Sequence, residues 1–238
     1  MENKDGYKQH ISGQFNEELE GVKTRMLEMG GVVEQQVASA VSALVTTDSG
    51  EAELVRERDH DVNNLEVAID DECSKILARR QPAASDLRLV LAISKVITDL
   101  ERIGDEAAKI ARQAIKLSEE GASPSGYVEI RHIGGHVATM VRDALDAFAR
   151  LDVEAAVKVA QEDNLVDQEY ANAMRSLVTY MMEDPRVIGS VLNEMWALRA
   201  LERVGDHARN IAEHVIYLVK GLNVRHVELD DLIARIEE

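Results

Sequence analysis

Leu100-Glu101-Arg102-Ile103-Gly104-Asp105 returns later in the chain as Leu201-Glu202-Arg203-Val204-Gly205-Asp206, changed only by Val for Ile. A helix brings residues four apart onto one face, so each copy presents a Glu and an Asp one turn from each other. Such a pair repels itself unless something positive lies between the two groups. Each copy also keeps a glycine inside the helix, which costs up to about 1 kcal/mol relative to alanine and predicts close packing there.

The duplication reaches outward from this phrase. Gly30-Gly31 answers Gly134-Gly135 and Asp48 answers Asp152 at one offset of 104, which falls to 101 at the repeated phrase. Three residues are therefore missing from the second turn of the later half, where loop length is cheap to change. Turn-like residues punctuate both halves and predict helices over 12–47, 50–79, 84–118, 127–151, 153–182 and 187–220. The break Ser118-Glu119-Glu120-Gly121-Ala122-Ser123-Pro124-Ser125-Gly126 reads as the linker. With 45% hydrophobic but 3% aromatic residues and three prolines, the composition suits packed helices. The expectation is an all-α fold of two tandem three-helix bundles, six helices related by internal duplication, over 1–119 and 127–221, with an acidic tail over 222–238.

The third helix carries a heptad seam of Val90, Ile93, Ile97, Leu100, Gly104, Ala107, Ala111 and Ala114, and the sixth repeats it from Leu198 through Leu201, Gly205, Ala208, Ala212, Val215 and Val219. The second helix runs Val55, Asp59, Val62, Glu66, Ile69, Cys73, Ile76, and the fifth runs Val159, Asp163, Val166, Tyr170, Ala173, Leu177, Tyr180. Asp59 and Asp163 thus stand in line with apolar residues, with Asn63 and Asp167 one turn on. If those helices face their neighbours, four oxygen-bearing groups converge in each half: Asp59, Asn63, Glu101 and Asp105 in the first, Asp163, Asp167, Glu202 and Asp206 in the second. All-oxygen sets suit cations such as Fe, Zn, Mn or Mg. Asn63 makes the first set poorer, so the second is expected to bind more tightly. The competing reading is that these are solvated flank charges, which is common in acidic helices.

A formal net charge of −17 argues against direct binding to nucleic acid or to an anionic membrane surface. No apolar run of about 20 residues is present and the start lacks a signal-like segment, so a soluble, cytoplasmic protein is expected. Cys73, the single cysteine, permits no intrachain disulfide and reads as a buried apolar residue. The Glu-x-x-His spacings Glu57 to His60 and Glu129 to His132 are weak di-iron signals, since Gln161 and Asn164 answer the first pair. His207 and His214 read as surface residues, and Trp196 as packing. No Walker-type loop or nucleophile elbow occurs. On residues alone, a carboxylate-bridged metal enzyme, a purely structural helical repeat protein and a regulatory scaffold all remain open.

Further stretches carry a resemblance across nearly the whole chain: His10-Ile11-Ser12-Gly13-Gln14-Phe15, Met29-Gly30-Gly31 with Val33-Glu34-Gln35-Gln36, Arg80-Gln81-Pro82 to Asp86-Leu87-Arg88, Asp167-Gln168-Glu169-Tyr170 and Tyr180-Met181-Met182-Glu183-Asp184. With two ERxGD phrases on two three-helix repeats, the sequence resembles the PhoU family. That resemblance implies a cytoplasmic, homodimeric, non-enzymatic negative regulator of the phosphate-starvation response. It would link the ATP-binding subunit of the phosphate-specific ABC transporter to a PhoR-type histidine kinase. It also implies multinuclear metal sites on Glu101 with Asp105 and Glu202 with Asp206, joined by Asp59, Asn63, Asp163 and Asp167. Asn63 departs from that pattern.

Overall fold

A computed structural model of the chain describes residues 4–121 and 127–224, with side chains over 13–121 and 128–224. Six long helices follow one another: α1 (Lys4–Thr46), α2 (Ser49–Arg80), α3 (Ala84–Glu119), α4 (Tyr127–Arg150), α5 (Val153–Glu183) and α6 (Ile188–Lys220), with a 3-10 turn at Pro185–Val187. No strand occurs among the described residues, and no helix is long and apolar enough to cross a membrane. The helix bounds fall within a residue or two of those expected from sequence, except that α1 starts at Lys4 rather than near 12. The helix runs on through Gly13, because one exposed glycine weakens a helix by only about 1 kcal/mol and does not end a long one. Residues 122–126 of the expected linker and 225–238 of the expected tail lie outside the described residues, as do the side chains of the His10 stretch before Gly13.

The duplicated turns are built alike. Asp48 caps α2 by accepting from Glu51 N at 3.0 Å, and Asp152 caps α5 by accepting from Ala155 N at 3.0 Å. Each aspartate also donates its own N–H back to the preceding helix, Asp48 to Ala43 O and Asp152 to Ala147 O. Between cap and helix the chain takes one left-handed residue, Thr47 at φ 51° and Leu151 at φ 55°. An oxygen at the N-cap satisfies an amide that the helix itself leaves without a partner, which is why Asp is kept at both turns.

The repeats pack side by side over one continuous core. Contacts between α3 and α6 and between α1 and α4 cross from one repeat to the other, while α2 stays against α1 and α3, and α5 against α4 and α6. The paired glycines mark the α1–α4 crossing. A Cβ on Gly30 would stand 2.6 Å from Leu145 Cδ2, and one on Gly134 2.6 Å from Val41 Cγ1. Gly134 answers Gly30 and Leu145 answers Val41 at the same offset of 104, so the two contacts are one contact seen from each repeat. The halves are therefore related by an approximate two-fold axis between α1 and α4.

Every seam position of α3 named above is buried, as are those of α6 except Val219, which is 40% exposed at the helix end. Two expectations fail. Trp196 is 65% exposed, not packed; at 100° per residue it stands opposite Leu198 on α6. His207 and His214 are 6% and 7% exposed, not on the surface. Helix α6 is covered by its own repeat and again by α3, so its buried arc is wider than the single stripe a lone amphipathic pattern reveals.

Candidate functional site

In the second repeat, Asp163 and Asp167 on α5 face Glu202 and Asp206 on α6. Gly205 lies beneath α5, where a Cβ would make only ordinary contacts, 3.5 Å from Val166 Cγ1 and 3.7 Å from Asp163 Oδ1. Burial, followed by repulsion from Asp206, pushes the Glu202 carboxyl up to about 7, with Asp167 and Asp163 adding to it. Asp206 is raised by burial and by Asp163 and Asp167. Asp163 is raised by burial, against the opposing pull of Arg209. Two arginines share this face: Arg199 Nη1 donates to Glu202 Oε1 at 2.5 Å, and Arg209 Nη1 donates to Asp163 Oδ2 at 3.0 Å. Glu202 Oε2 is buried with no hydrogen-bond partner.

In the first repeat, Gly104 lies closer still beneath the facing helix. A Cβ there would stand 3.2 Å from Gln36 Oε1, 3.3 Å from Val62 Cγ1 and 3.5 Å from Asp59 Oδ1. Burial raises the Asp59 carboxyl, and Asp105 raises it further. Glu101 is raised by burial and then by Asp105, Glu66 and Asp59. Gln36 on α1 donates Nε2 to Asp59 Oδ1 at 3.4 Å and to Val55 O at 3.3 Å, while its Oε1 is buried and unpartnered. Asn63 has a buried Oδ1, also without a partner.

The carboxylates of each set thus lie close enough across facing helices to repel one another, and two residues that the sequence reading did not assign lie beside the first set. Glu66 stands seven residues after Asp59 on the stripe and adds a fourth carboxylate to the first face. Its counterpart in the second repeat is Tyr170. Gln36 comes from α1, where Met140 is the counterpart, so no repeated motif could have flagged it. Arg199 and Arg209 neutralise part of the second set; their counterparts Thr98 and Ala108 carry no charge, and the first set is offset instead by Arg112 near Asp59 and Arg102 near Glu101.

Among the described residues, no three His, Cys, Asp or Glu side chains already surround a common point at coordination distance. The donor chemistry nonetheless fits a hard or borderline cation: the groups are carboxylate oxygens and the Asn63 amide oxygen, several are buried enough to hold protons more tightly than usual, and both Glu202 Oε2 and Asn63 Oδ1 are buried without a partner. Carboxylates raised in this way can trade their protons for a cation.

Comparison with known proteins agrees with this architecture. The PhoU domain matches residues 26–114 and 130–215, one copy on each repeat. The chain belongs to the PhoU family. It is 62% identical over 237 residues to the phosphate-specific transport system accessory protein PhoU homolog of Pseudomonas aeruginosa, covering 100% of this chain and 98% of that protein. The phosphate-specific transport system accessory protein PhoU of Escherichia coli is 51% identical over 228 residues, 94% of each chain. Among solved PhoU structures, that from Pseudomonas aeruginosa superposes with a TM-score of 0.86 at 65% identity, covering 87% of this chain and 100% of that one. The phosphate transport system regulatory protein PhoU from Streptococcus pneumoniae gives 0.81 at 31% identity, covering 88% and 99%. The likeness therefore runs through both repeats of this chain.

Proposed function

We propose that this chain is an accessory protein of a phosphate-specific transport system that acts as a non-enzymatic negative regulator of the phosphate-starvation response. The single observation that carries the reading is the 62% identity to an accessory protein of that transport system along the full length of the chain. In this reading the chain is a cytoplasmic homodimer that docks onto the ATP-binding subunit of the phosphate-specific ABC transporter and onto a PhoR-type histidine kinase. With phosphate plentiful, the complex holds the kinase in the state that keeps its response regulator unphosphorylated. A rigid bundle with acidic faces suits an adaptor. Deleting the gene tests it: alkaline phosphatase should rise in phosphate-rich medium, and repression that stays normal overturns the role.

The two carboxylate faces are proposed as cation sites within that scaffold, Glu101, Asp105, Asp59 and Asn63 with Glu66 on one, and Glu202, Asp206, Asp163 and Asp167 on the other. A bound Fe, Zn, Mn or Mg ion would neutralise groups that otherwise repel. Protein purified without chelators should retain metal, and Glu202→Ala with Asp206→Ala should remove most of it. Unchanged metal content by elemental analysis rejects the assignment and leaves the regulatory reading to the deletion experiment.

A further inference from the structure

Arg88, Lys95, Arg102, Lys109 and Lys116 stand at every seventh residue of α3, so on this acidic chain they make one basic line along one side of the helix. The duplication does not require it, since the counterparts in α6 are Gly189, Trp196, Arg203, Asn210 and Tyr217. Contacts place the line along the seam with α6. Arg88 Nε donates to Leu218 O at 3.3 Å, Lys95 Nζ stands 5.4 Å from the centre of the Tyr217 ring, and Lys109 and Arg203 share the carboxylate of buried Glu106. Lys95, Arg102 and Lys116 are exposed. At the Arg88 end, Leu87 and Leu91 on α3 are 36% and 37% exposed, and Leu222, just past α6, is 38% exposed.

The chain turns back at this same end. Gly221 takes φ 73° and donates its N–H to Tyr217 O, and a Cβ on it would lie 3.9 Å from Arg88 Nη1. Val224, the last described residue, is buried in the core. We propose that residues 225–238 seat on the α3–α6 seam of their own chain, with Asp230 and Glu237 meeting Lys95 and Arg102 and the apolar residues between them covering Leu91 and the Tyr217 ring.

The sequence of the segment matches the seam in charge, pattern and length. It carries Glu228, Asp230, Asp231, Glu237 and Glu238 against Arg225 and Arg235. At helical spacing Leu229, Leu232, Ile233 and Ile236 fall on one side, and Asp230 and Glu237 border that side seven residues apart, the spacing of Lys95 and Arg102. Wound as a helix, the segment rises about 21 Å, which is the length of α3 from Arg88 to Arg102 and falls about 20 Å short of Lys116. Apolar contact supplies most of the attraction, while the charge pairs fix the register. A tether this short also keeps the segment at millimolar effective concentration, so a contact too weak to join separate molecules suffices. The contact is independent of the carboxylate faces and of the regulatory reading above.

The test is hydrogen–deuterium exchange in full-length protein, read by mass spectrometry on peptides covering 227–238. In wild type those amides should exchange about tenfold more slowly than an unstructured chain. Lys95→Glu with Arg102→Glu should remove the protection, and adding Asp230→Lys with Glu237→Lys should bring it back by exchanging the charges. Lys116→Glu, beyond the reach of the segment, should leave it in place. The three seam positions are exposed, so these variants should melt close to the parent; the charge exchange gives a second reading should the double reversal melt early. Full-speed exchange in wild type, protection that survives the double reversal or is not restored by the exchange, or an equal loss in Lys116→Glu overturns the contact. Protection that grows with protein concentration overturns it too, since the segment then lies on a second copy.

Discussion

Asp99 on α3 meets His207 on α6 across the seam between the repeats, with Oδ1 2.9 Å from the imidazole Nδ1. Asn210 donates to the same oxygen at 3.1 Å, and His214 Nε2 lies 3.3 Å from Oδ2. One carboxylate from the first repeat thus binds three side chains of the second, all within a buried interface. By the repeat relationship Ala200 answers Asp99, while Glu106, Lys109 and Gln113 answer His207, Asn210 and His214. The reverse contact is different: Glu106 pairs with Lys109 and with Arg203 at 2.9 and 3.1 Å. The seam is keyed so that each repeat fits the other better than a copy of itself.

Replacing Asp99 by alanine takes the acceptor from buried His207 and His214 and from half-buried Asn210, and buried polar groups stranded in this way cost about 1–3 kcal/mol each before relaxation. We expect Asp99→Ala to lose about 2–4 kcal/mol in urea unfolding. A loss below roughly 0.5 kcal/mol would show that water enters the seam at no cost.

The same residue gives an acid limb. Burial alone would raise the Asp99 carboxyl, but hydrogen bonds from His207, His214 and Asn210 outweigh it and hold the group at about 2, against 3.8 when unfolded. A depressed carboxylate stabilises the fold above its unfolded value and loses that contribution as pH falls through the folded one. Between pH 4 and 2 the Asp99 contribution, about 2 kcal/mol, should fade. Thermal melting across that range should show wild type and Asp99→Asn converging as acid is added; parallel curves would refute the assignment.

The glycines should sort by what faces them. Gly134→Ala pushes a Cβ to 2.6 Å from Val41 Cγ1, on a stiff β-branched side chain, whereas at Gly30 the neighbour is the flexible end of Leu145. Gly134→Ala should lose about 2 kcal/mol and Gly30→Ala less. Gly205→Ala meets only ordinary contacts of 3.5 and 3.7 Å and should gain up to about 1 kcal/mol from helix propensity. Chemical unfolding of the three variants checks the order, and a stabilised Gly134→Ala would break it.

These cases show where the sequence was legible. Gly104, Gly205 and the acidic pairs beside them announce themselves because a costly residue recurs at one spacing in both repeats, and the facing aspartates stand where an apolar stripe should continue. The turn residues Asp48 and Asp152 are readable for the same reason. Asp99, His207 and Gln36 are not, since each acts across a boundary between repeats or helices and none is matched in the other half. Burial of the two α6 histidines depends on α3 docking from the other repeat, and nothing within α6 encodes that second covered face. Arg199 and Arg209 escape notice because surface-type charges at helical spacing are ordinary until a buried partner is known.

Glu202 carries the clearest consequence of crowding. Its carboxyl is pushed up to about 7 by burial and by Asp206, Asp167 and Asp163, although Arg199 pulls the other way. A raised carboxyl favours the fold while it holds its proton, and that advantage fades as pH rises from the unfolded value of 4.5 through 7. Glutamine keeps the shape and never ionises. In chelator-treated protein, Glu202→Gln should match wild type near pH 4.5 and exceed it by about 2 kcal/mol at pH 8. Adding Mn2+ or Zn2+ should reverse the order, because a cation that binds only the folded carboxylates stabilises wild type by mass action and the variant much less. Differential scanning calorimetry with and without metal reads both effects. Wild type more stable than Glu202→Gln at pH 8 without metal would mean that the Arg199 pair outweighs the repulsion, and the face would then be a structural ion-pair network.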